Sequence, residues 1–351
     1  MPQGQGAGAS LLSVSIGTPQ LPLARTPAAG RPSDWHKPRE ASPLRIDLQI
    51  GGYAIRLDEP DGHACLNWPF ALFKPFVRKH ETPALDQTPD IVLTVRVVQR
   101  LPQIPHGPVL YDACHGLWTW HETAGGYLLE SPNRSTHKPE ARVLISADMA
   151  SVTAWVLGHP LNGTTHMAWE PLHIINPIVE ACLLTRLARD GGLLLHAAGL
   201  LTEQYGFAFT GPSGAGKSTV SALYAARGAL VLSDERIILR RIEGAVQMFG
   251  TPWPGNGRHA RNQQGPLAGL FCIQHGTKAH RLSRMSPGEV AAFILPQCFL
   301  PHWDRTAMDN TLAFLGTLFE TVDCFELAFV NRPDVVEFIA EQRMERALTT
   351  P

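Results

Sequence analysis

Long apolar runs are missing from this sequence. Stretches such as Leu193–Leu195 and Ala291–Leu295 fall far short of the roughly 20 residues a helix needs to cross a bilayer. The N-terminus also lacks a basic segment followed by an apolar one, so the expectation is a soluble protein of the cytoplasm with no membrane partner. An excess of charge of either sign is missing too. The formal net charge is −1, which removes any electrostatic reason to expect nucleic acid or an anionic surface as a partner. The six cysteines form no C-x-x-C pair, and most sit among apolar residues, as buried thiols do. Neither a disulfide framework nor a zinc site follows. The fifteen histidines include no H-E-x-x-H, and His259, His275 and His280 have no neighbouring ligand pair, so solvated or hydrogen-bonded imidazoles are expected. No repeat of solenoid or propeller period is present.

With 351 residues and 44% hydrophobic content, the chain has room for one large core or two modest ones. Residues 1–43 are rich in Gly, Pro, Ala and Ser and read as a disordered tail. Residues 44–170 read as a β-rich α+β accessory domain. Strand-like runs at 46–50, 54–57, 91–98, 117–120, 127–129 and 143–146 are separated by Pro, Gly, Asp and Asn. Phe70, Phe73 and Phe76, three apart, fit the buried face of a short helix. Residues 171–351 read as an α/β domain. A helix over 177–190 has proline in its first turn and ends at Gly191-Gly192. Further strands are expected at 229–232, 236–239, 246–249 and 324–330, and helices at 287–295, 306–319 and 333–345.

The most informative stretch is Gly211-Pro-Ser-Gly-Ala-Gly-Lys-Ser218, which fits G-x-x-x-x-G-K-[ST]. Glycines in a strand-to-helix turn let several backbone N–H groups converge on phosphate oxygens. The flanks suit this: Tyr205–Thr210 is a short apolar run, and 218–227 is helix-forming up to Gly228. The expected phosphate contacts are Gly211, Pro212, Ser213, Gly214, Ala215, Gly216, Lys217, Ser218 and Thr219, with Lys217 reaching the β- and γ-phosphates and Ser218 ligating Mg²⁺.

Three neighbouring segments carry further chemistry. Asp234-Glu235 closes the run after the P-loop helix. At a strand's end, one carboxylate of such a pair can bind Mg²⁺ while the other accepts a proton, although an acidic turn has the same composition. His196 interrupts an apolar strand (193–199) and taken alone suits a hydrogen-bonded core position. Phe249-Gly-Thr-Pro-Trp-Pro-Gly255 is a rigid aromatic turn, followed by Arg258 and Arg261, whose charge could meet an acceptor or a transferred phosphate.

Taken together, His196-Ala197, the loop 211–218 and Asp234-Glu235 sixteen residues after Ser218 resemble the catalytic domain of the HPr kinase/phosphorylase family over about residues 190–340. Gly250–Gly255 resembles its divergent relatives, the lasso-peptide precursor kinases and kinases associated with peptide carriers. The resemblance implies a nucleotide domain of the phosphoenolpyruvate carboxykinase type, ATP and Mg²⁺ as cofactors, and phosphate transfer to a serine of a peptide or small protein. It also implies roles for Asp234 as proton acceptor, Glu235 at a metal position usually held by aspartate, and His196 beside the phosphates. The family's Arg-Gly-Leu-Gly segment is missing and residues 45–170 do not resemble its N-terminal domain, so neither phosphorylase activity nor HPr as substrate is expected. A small-metabolite kinase and a nucleotide-binding switch protein with little catalysis stand as alternatives. Monomer and homo-oligomer both fit the sequence.

Overall fold

The computed structural model describes residues 43–65, 70–78, 88–113, 118–132, 138–161, 164–169, 175–203 and 205–349. The expected tail therefore lies, but for residue 43, outside the described residues. The chain is a mixed α/β protein with large sheets and few helices.

The N-terminal region builds an eight-stranded sheet from β1 (Leu44–Ile50), β2 (Tyr53–Glu59), β4 (Ile91–Val98), β5 (Val109–Asp112), β6 (Thr119–Thr123), β7 (Gly126–Pro132), β8 (Pro139–Ser146) and β9 (Ser151–Leu157), in the order β1-β2-β4-β9-β8-β7-β6-β5. Alternation explains its strands. In β4, Ile91, Leu93, Val95 and Val97 are buried while the residues between them are not, the period-two pattern of a sheet with one covered face. Short β3 (Ala64–Cys65), β10 (His159–Pro160) and β11 (Met167–Trp169) form a small three-stranded sheet. The Phe-rich segment is a single turn, α1 (Phe70–Phe73), that tightens into a 3₁₀ turn over Lys74–Phe76. Phe73 and Phe76 are fully buried, so these two positions of the predicted core face are present on a shorter, tighter helix, while the Phe70 side chain lies outside what the structure describes.

The second half is layered around two strands that change sheets. Its strands are β12 (Gly192–Leu201), β13 (Gly206–Thr210), β14 (Leu230–Ser233), β15 (Arg236–Ile242), β16 (Ala245–Phe249), β17 (Gln264–His275), β18 (Arg281–Arg284), β19 (Cys298–Phe299) and β20 (Cys324–Phe329). Residues 192–196 of β12 pair with β15, and 194–195 also with β19, whereas 197–201 pair with β13 and 199–201 with β14. Strand β17 does the same: its first three residues pair with β16, and the remainder runs parallel to β13 and β20. Strands that pass between layers in this way form corners, and the corner in β12 falls between His196 and Ala197.

Helices α2 (Ile175–Arg189), α3 (Lys217–Ala225), α4 (Pro287–Ile294), α5 (Arg305–Thr321) and α6 (Val335–Thr349) complete the fold. Helix α2 is apolar on most of its circumference, which marks a helix buried between layers. Its Ile178, Val179, Cys182, Leu183 and Leu187 share one hydrophobic cluster with the first sheet and with Ile238, Phe249, Trp253 and Trp303 of the second half. No helix among the described residues is long and apolar enough to cross a membrane.

Candidate functional site

The glycine-rich loop leaves the C-terminal end of fully buried β13 and enters α3 directly, the strand–loop–helix arrangement its sequence predicts. Gly216, the residue before α3, has φ 106° and offers no side-chain cap, so the N–H groups of the first helical turn depend on partners outside the helix. A Cβ at Gly216 would lie 2.8 Å from the Phe329 ring, and the backbone conformation is one that L side chains rarely adopt. Lys217 is buried, and its ammonium donates to the Gly211 carbonyl at 2.7 Å and the Pro212 carbonyl at 3.2 Å. Burial lowers the pKa of this amine, and the nearby Glu235 charge opposes that shift. Ser218 is exposed and Thr219 half-buried at the start of the same helix.

The β12 corner brings the other predicted residues to this loop. Thr210, the last residue of β13, donates through its hydroxyl to the His196 carbonyl at 2.9 Å. Ala197 donates its N–H to the Glu235 carbonyl at 3.1 Å. His196 Nδ1 lies 3.5 Å from Glu235 Oε1. Burial, followed by the Lys217 and Arg236 charges, pulls the histidine pKa down to about 4. The imidazole is therefore neutral near pH 7, and its approach to Glu235 is not an ion pair. Glu235 shifts the other way: burial raises its pKa, and its Oε1 is buried without a hydrogen-bond partner.

Asp234 is held quite differently. Its Oδ1 accepts the N–H groups of Gly255 (3.1 Å) and His259 (3.2 Å), and its Oδ2 accepts that of Gly257 at 2.6 Å. The carboxylate is 1% exposed and acts as the clamp of the loop that follows β16. A Cβ on Gly257 would stand 2.7 Å from Oδ2, so the clamp needs glycine there. The predicted aromatic turn forms the stem of this loop. Trp253 donates its indole N–H to Asn176 of α2 at 2.6 Å, and the Thr251 hydroxyl donates to the Arg236 carbonyl. Arg258, with φ 55°, and Arg261 are exposed on the loop.

Two residues in this site carry no signal in the sequence. Arg236 donates from its Nη1 to both carboxylate oxygens of Glu180 of α2, at 2.6 and 2.7 Å, both side chains nearly buried, and its guanidinium lies 4.8 Å from the Phe299 ring centre. Fifty-six residues separate the partners, and only the packing of α2 reveals them. On the opposite flank of the loop, a pocket of about 480 Å³ is lined by Pro212–Ala215, Ile273, Gln274, His275 and Phe293. Elsewhere, Glu59, Asp61 and His63 offer ligand atoms within 4.8 Å of one another. These groups are engaged within the protein: Glu59 accepts two backbone N–H groups, Asp61 pairs with Arg96, and His63 Nδ1 accepts from the Met167 N–H. Cys65, Cys182, Cys272, Cys298 and Cys324 are free thiols, and burial pushes Cys182 up to about 12.

Fold and site together define a mixed α/β protein with a glycine-rich strand–loop–helix set where a strand passes between two sheets. No family model and no curated protein matches the chain. Among solved structures it is similar to the Hpr(Ser) kinase/phosphatase from Coxiella burnetii, with 13% sequence identity over 44% of this chain and 97% of that one, at a TM-score of 0.27.

Proposed function

We propose that this chain is an ATP- and Mg²⁺-dependent kinase that transfers the γ-phosphate to a hydroxyl, a serine of a peptide or small protein. The observation that carries this reading is the convergence of Lys217 of the 211–218 loop, His196 and Glu235 on one corner of β12, with Asp234 next to Glu235 in the chain. The residues fit a triphosphate and Mg²⁺. Lys217 is a buried ammonium satisfied only by loop carbonyls, the first turn of α3 lacks a side-chain cap, and Glu235 has a buried oxygen without a partner.

In this reading the loop N–H groups and Lys217 bind the phosphates, while Ser218 and Glu235 hold the metal. When bound, Mg²⁺ neutralises charge on the transferring phosphate. Neutral His196 orients the phosphate and Glu235. Asp234 takes the proton of the acceptor hydroxyl when the 255–259 loop frees one of its oxygens. Arg258 and Arg261, exposed on that loop, contact the acceptor. Catalysis then rests mainly on alignment and charge neutralisation.

The test is incubation of the full chain with labelled ATP, Mg²⁺ and cell extract, followed by mass spectrometry of the products. Phosphoserine or phosphothreonine on a polypeptide, absent with Lys217→Ala, is the expected result. Label confined to a small molecule rejects the peptide acceptor in favour of a metabolite kinase, and no transfer at all favours a nucleotide-binding switch.

A further inference from the structure

We infer that the pocket beside the loop, lined by Ile273, Gln274, His275 and Phe293, takes the purine base of the nucleotide, and that Gln274 selects adenine over guanine. The inference rests on the nucleotide-binding reading and adds to it a base site and a source of specificity.

The placement follows from the sheet. Strand β13 has two neighbours. At the level of Thr210, one is Ala197 of β12 and the other is Cys272 of β17. His196 and Glu235 lie on the β12 flank of the loop, and the pocket lies on the β17 flank. A triphosphate stretched along the loop with its γ end toward His196 and Glu235 has its base end on the β17 side. Strands β13 and β20 both pair with β17 and run parallel to it, and ligands of open α/β sheets bind at the carboxyl ends of such strands. The volume of about 480 Å³ falls within the roughly 300–1,000 Å³ of small-molecule sites, and the mixture of apolar wall and few polar groups matches them as well. Phe293 supplies an aromatic side chain, the type on which bases stack.

Selectivity follows from a fixed amide. Gln274 Nε2 donates to Glu326 Oε2 at 3.1 Å, and Glu326 Oε1 accepts from Arg281 at 3.0 Å. An ionised carboxylate can only accept, so Glu326 fixes the NH₂ end of the amide toward itself. The amide oxygen is then the end left for a ligand. Adenine presents an amino group at C6, a donor that suits this oxygen, whereas guanine presents a second acceptor there.

The experiment measures binding of ATP, GTP and inorganic tripolyphosphate, each with Mg²⁺, to the full chain and to Gln274→Leu, by calorimetry. Gln274 is exposed, so the substitution leaves the core intact, and an unchanged melting temperature verifies this. The expected result is ATP binding about tenfold or more tighter than tripolyphosphate and several-fold tighter than GTP. In Gln274→Leu the ATP-to-GTP ratio should fall to about one with tripolyphosphate affinity unchanged. Equal affinity of the native chain for ATP and tripolyphosphate overturns the base site while leaving the phosphate loop standing, and so does an unchanged ATP-to-GTP ratio in the variant. Failure to bind all three overturns both.

Discussion

Asp234 and Glu235 are adjacent in sequence, yet one is held by three backbone N–H groups and the other keeps a buried oxygen without a partner. The difference sets a test of their roles. Asp234→Asn should keep nucleotide affinity and lose about 10²- to 10⁴-fold in transfer, the usual contribution of a general base. It should also lower the melting temperature, because an amide NH₂ cannot accept from the loop and strands a buried N–H. Normal transfer by Asp234→Asn would hand the acceptor role to Glu235. His196 gives a pH prediction. Its pKa falls from an ordinary 6.5 to about 4 on folding, so the unfolded chain binds the proton more readily than the native one. The neutral histidine's contribution is complete above pH 6.5 and is lost progressively as pH falls toward 4, by about 3 kcal/mol in all. Buried Glu235 titrates in the opposite sense, so His196→Gln isolates the histidine. Stability measured by urea unfolding should then fall less steeply between pH 6.5 and 4 than in the native chain. At this scale the sequence marks the chemical types well, because lysine, histidine and acidic residues stand out in apolar runs. It cannot mark the clamp on Asp234, whose donors are backbone N–H groups twenty-one to twenty-five residues away.

Elements with strong local signals are readable in advance. Strand β4 coincides with the run 91–98 because its alternation is unbroken, and α4 begins at a capping box, Ser286 with Glu289. The twelve-residue β17 is the main omission. Gly265, Pro266 and Gly269 interrupt its apolar pattern, and those interruptions fall where the strand leaves β16 for β13. The pocket residues Ile273, Gln274 and His275 went unmarked with it. Helix α5 shows how a cap can serve two purposes. Asp304 is buried, accepts the Ala307 N–H at 2.9 Å as N-cap, and receives Arg189 and the Tyr127 hydroxyl on its other oxygen. It thus ties α5 to α2 and to the N-terminal sheet. Asp304→Ala removes the cap and leaves a part-buried guanidinium without its carboxylate. The expected loss is about 3–5 kcal/mol in urea unfolding. Asp304→Asn retains an acceptor for the cap and should lose less; equal losses would mean that the cap contributes nothing and that the ion pair with Arg189 carries the whole effect.

At the scale of the whole molecule, the sequence divides the chain near residue 170, where β-rich composition gives way to the α2 helix. Packing runs across that line. The cluster that covers the first sheet includes Ile238, Phe249, Trp253 and Trp303 from the second half, and polar contacts reinforce it. The Tyr53 hydroxyl donates to Asp190 at 2.7 Å, while Arg240 donates to the Gly51 carbonyl at 2.7 Å and lies 4.3 Å from the Tyr53 ring centre. A linear reading has no access to such contacts, since Arg240 and Gly51 are 189 residues apart. The same helix, α2, supplies Glu180 to Arg236 and Asn176 to Trp253, so the wall of the candidate site is anchored to an element wedged between the two halves. Removing the N-terminal sheet would expose one face of α2 together with the large side chains packed on it, at a loss of roughly 25 cal/mol for each Å² of apolar surface. The expectation is that residues 171–351 alone neither fold stably nor bind ATP, and that the full chain unfolds in one step. Urea unfolding followed by tryptophan fluorescence and by far-ultraviolet circular dichroism checks this, since coincident transitions are the signature of a single cooperative unit. Two separated transitions, or a 171–351 fragment that binds ATP with native affinity, would show that the halves are independent and that the shared cluster is only a docking surface.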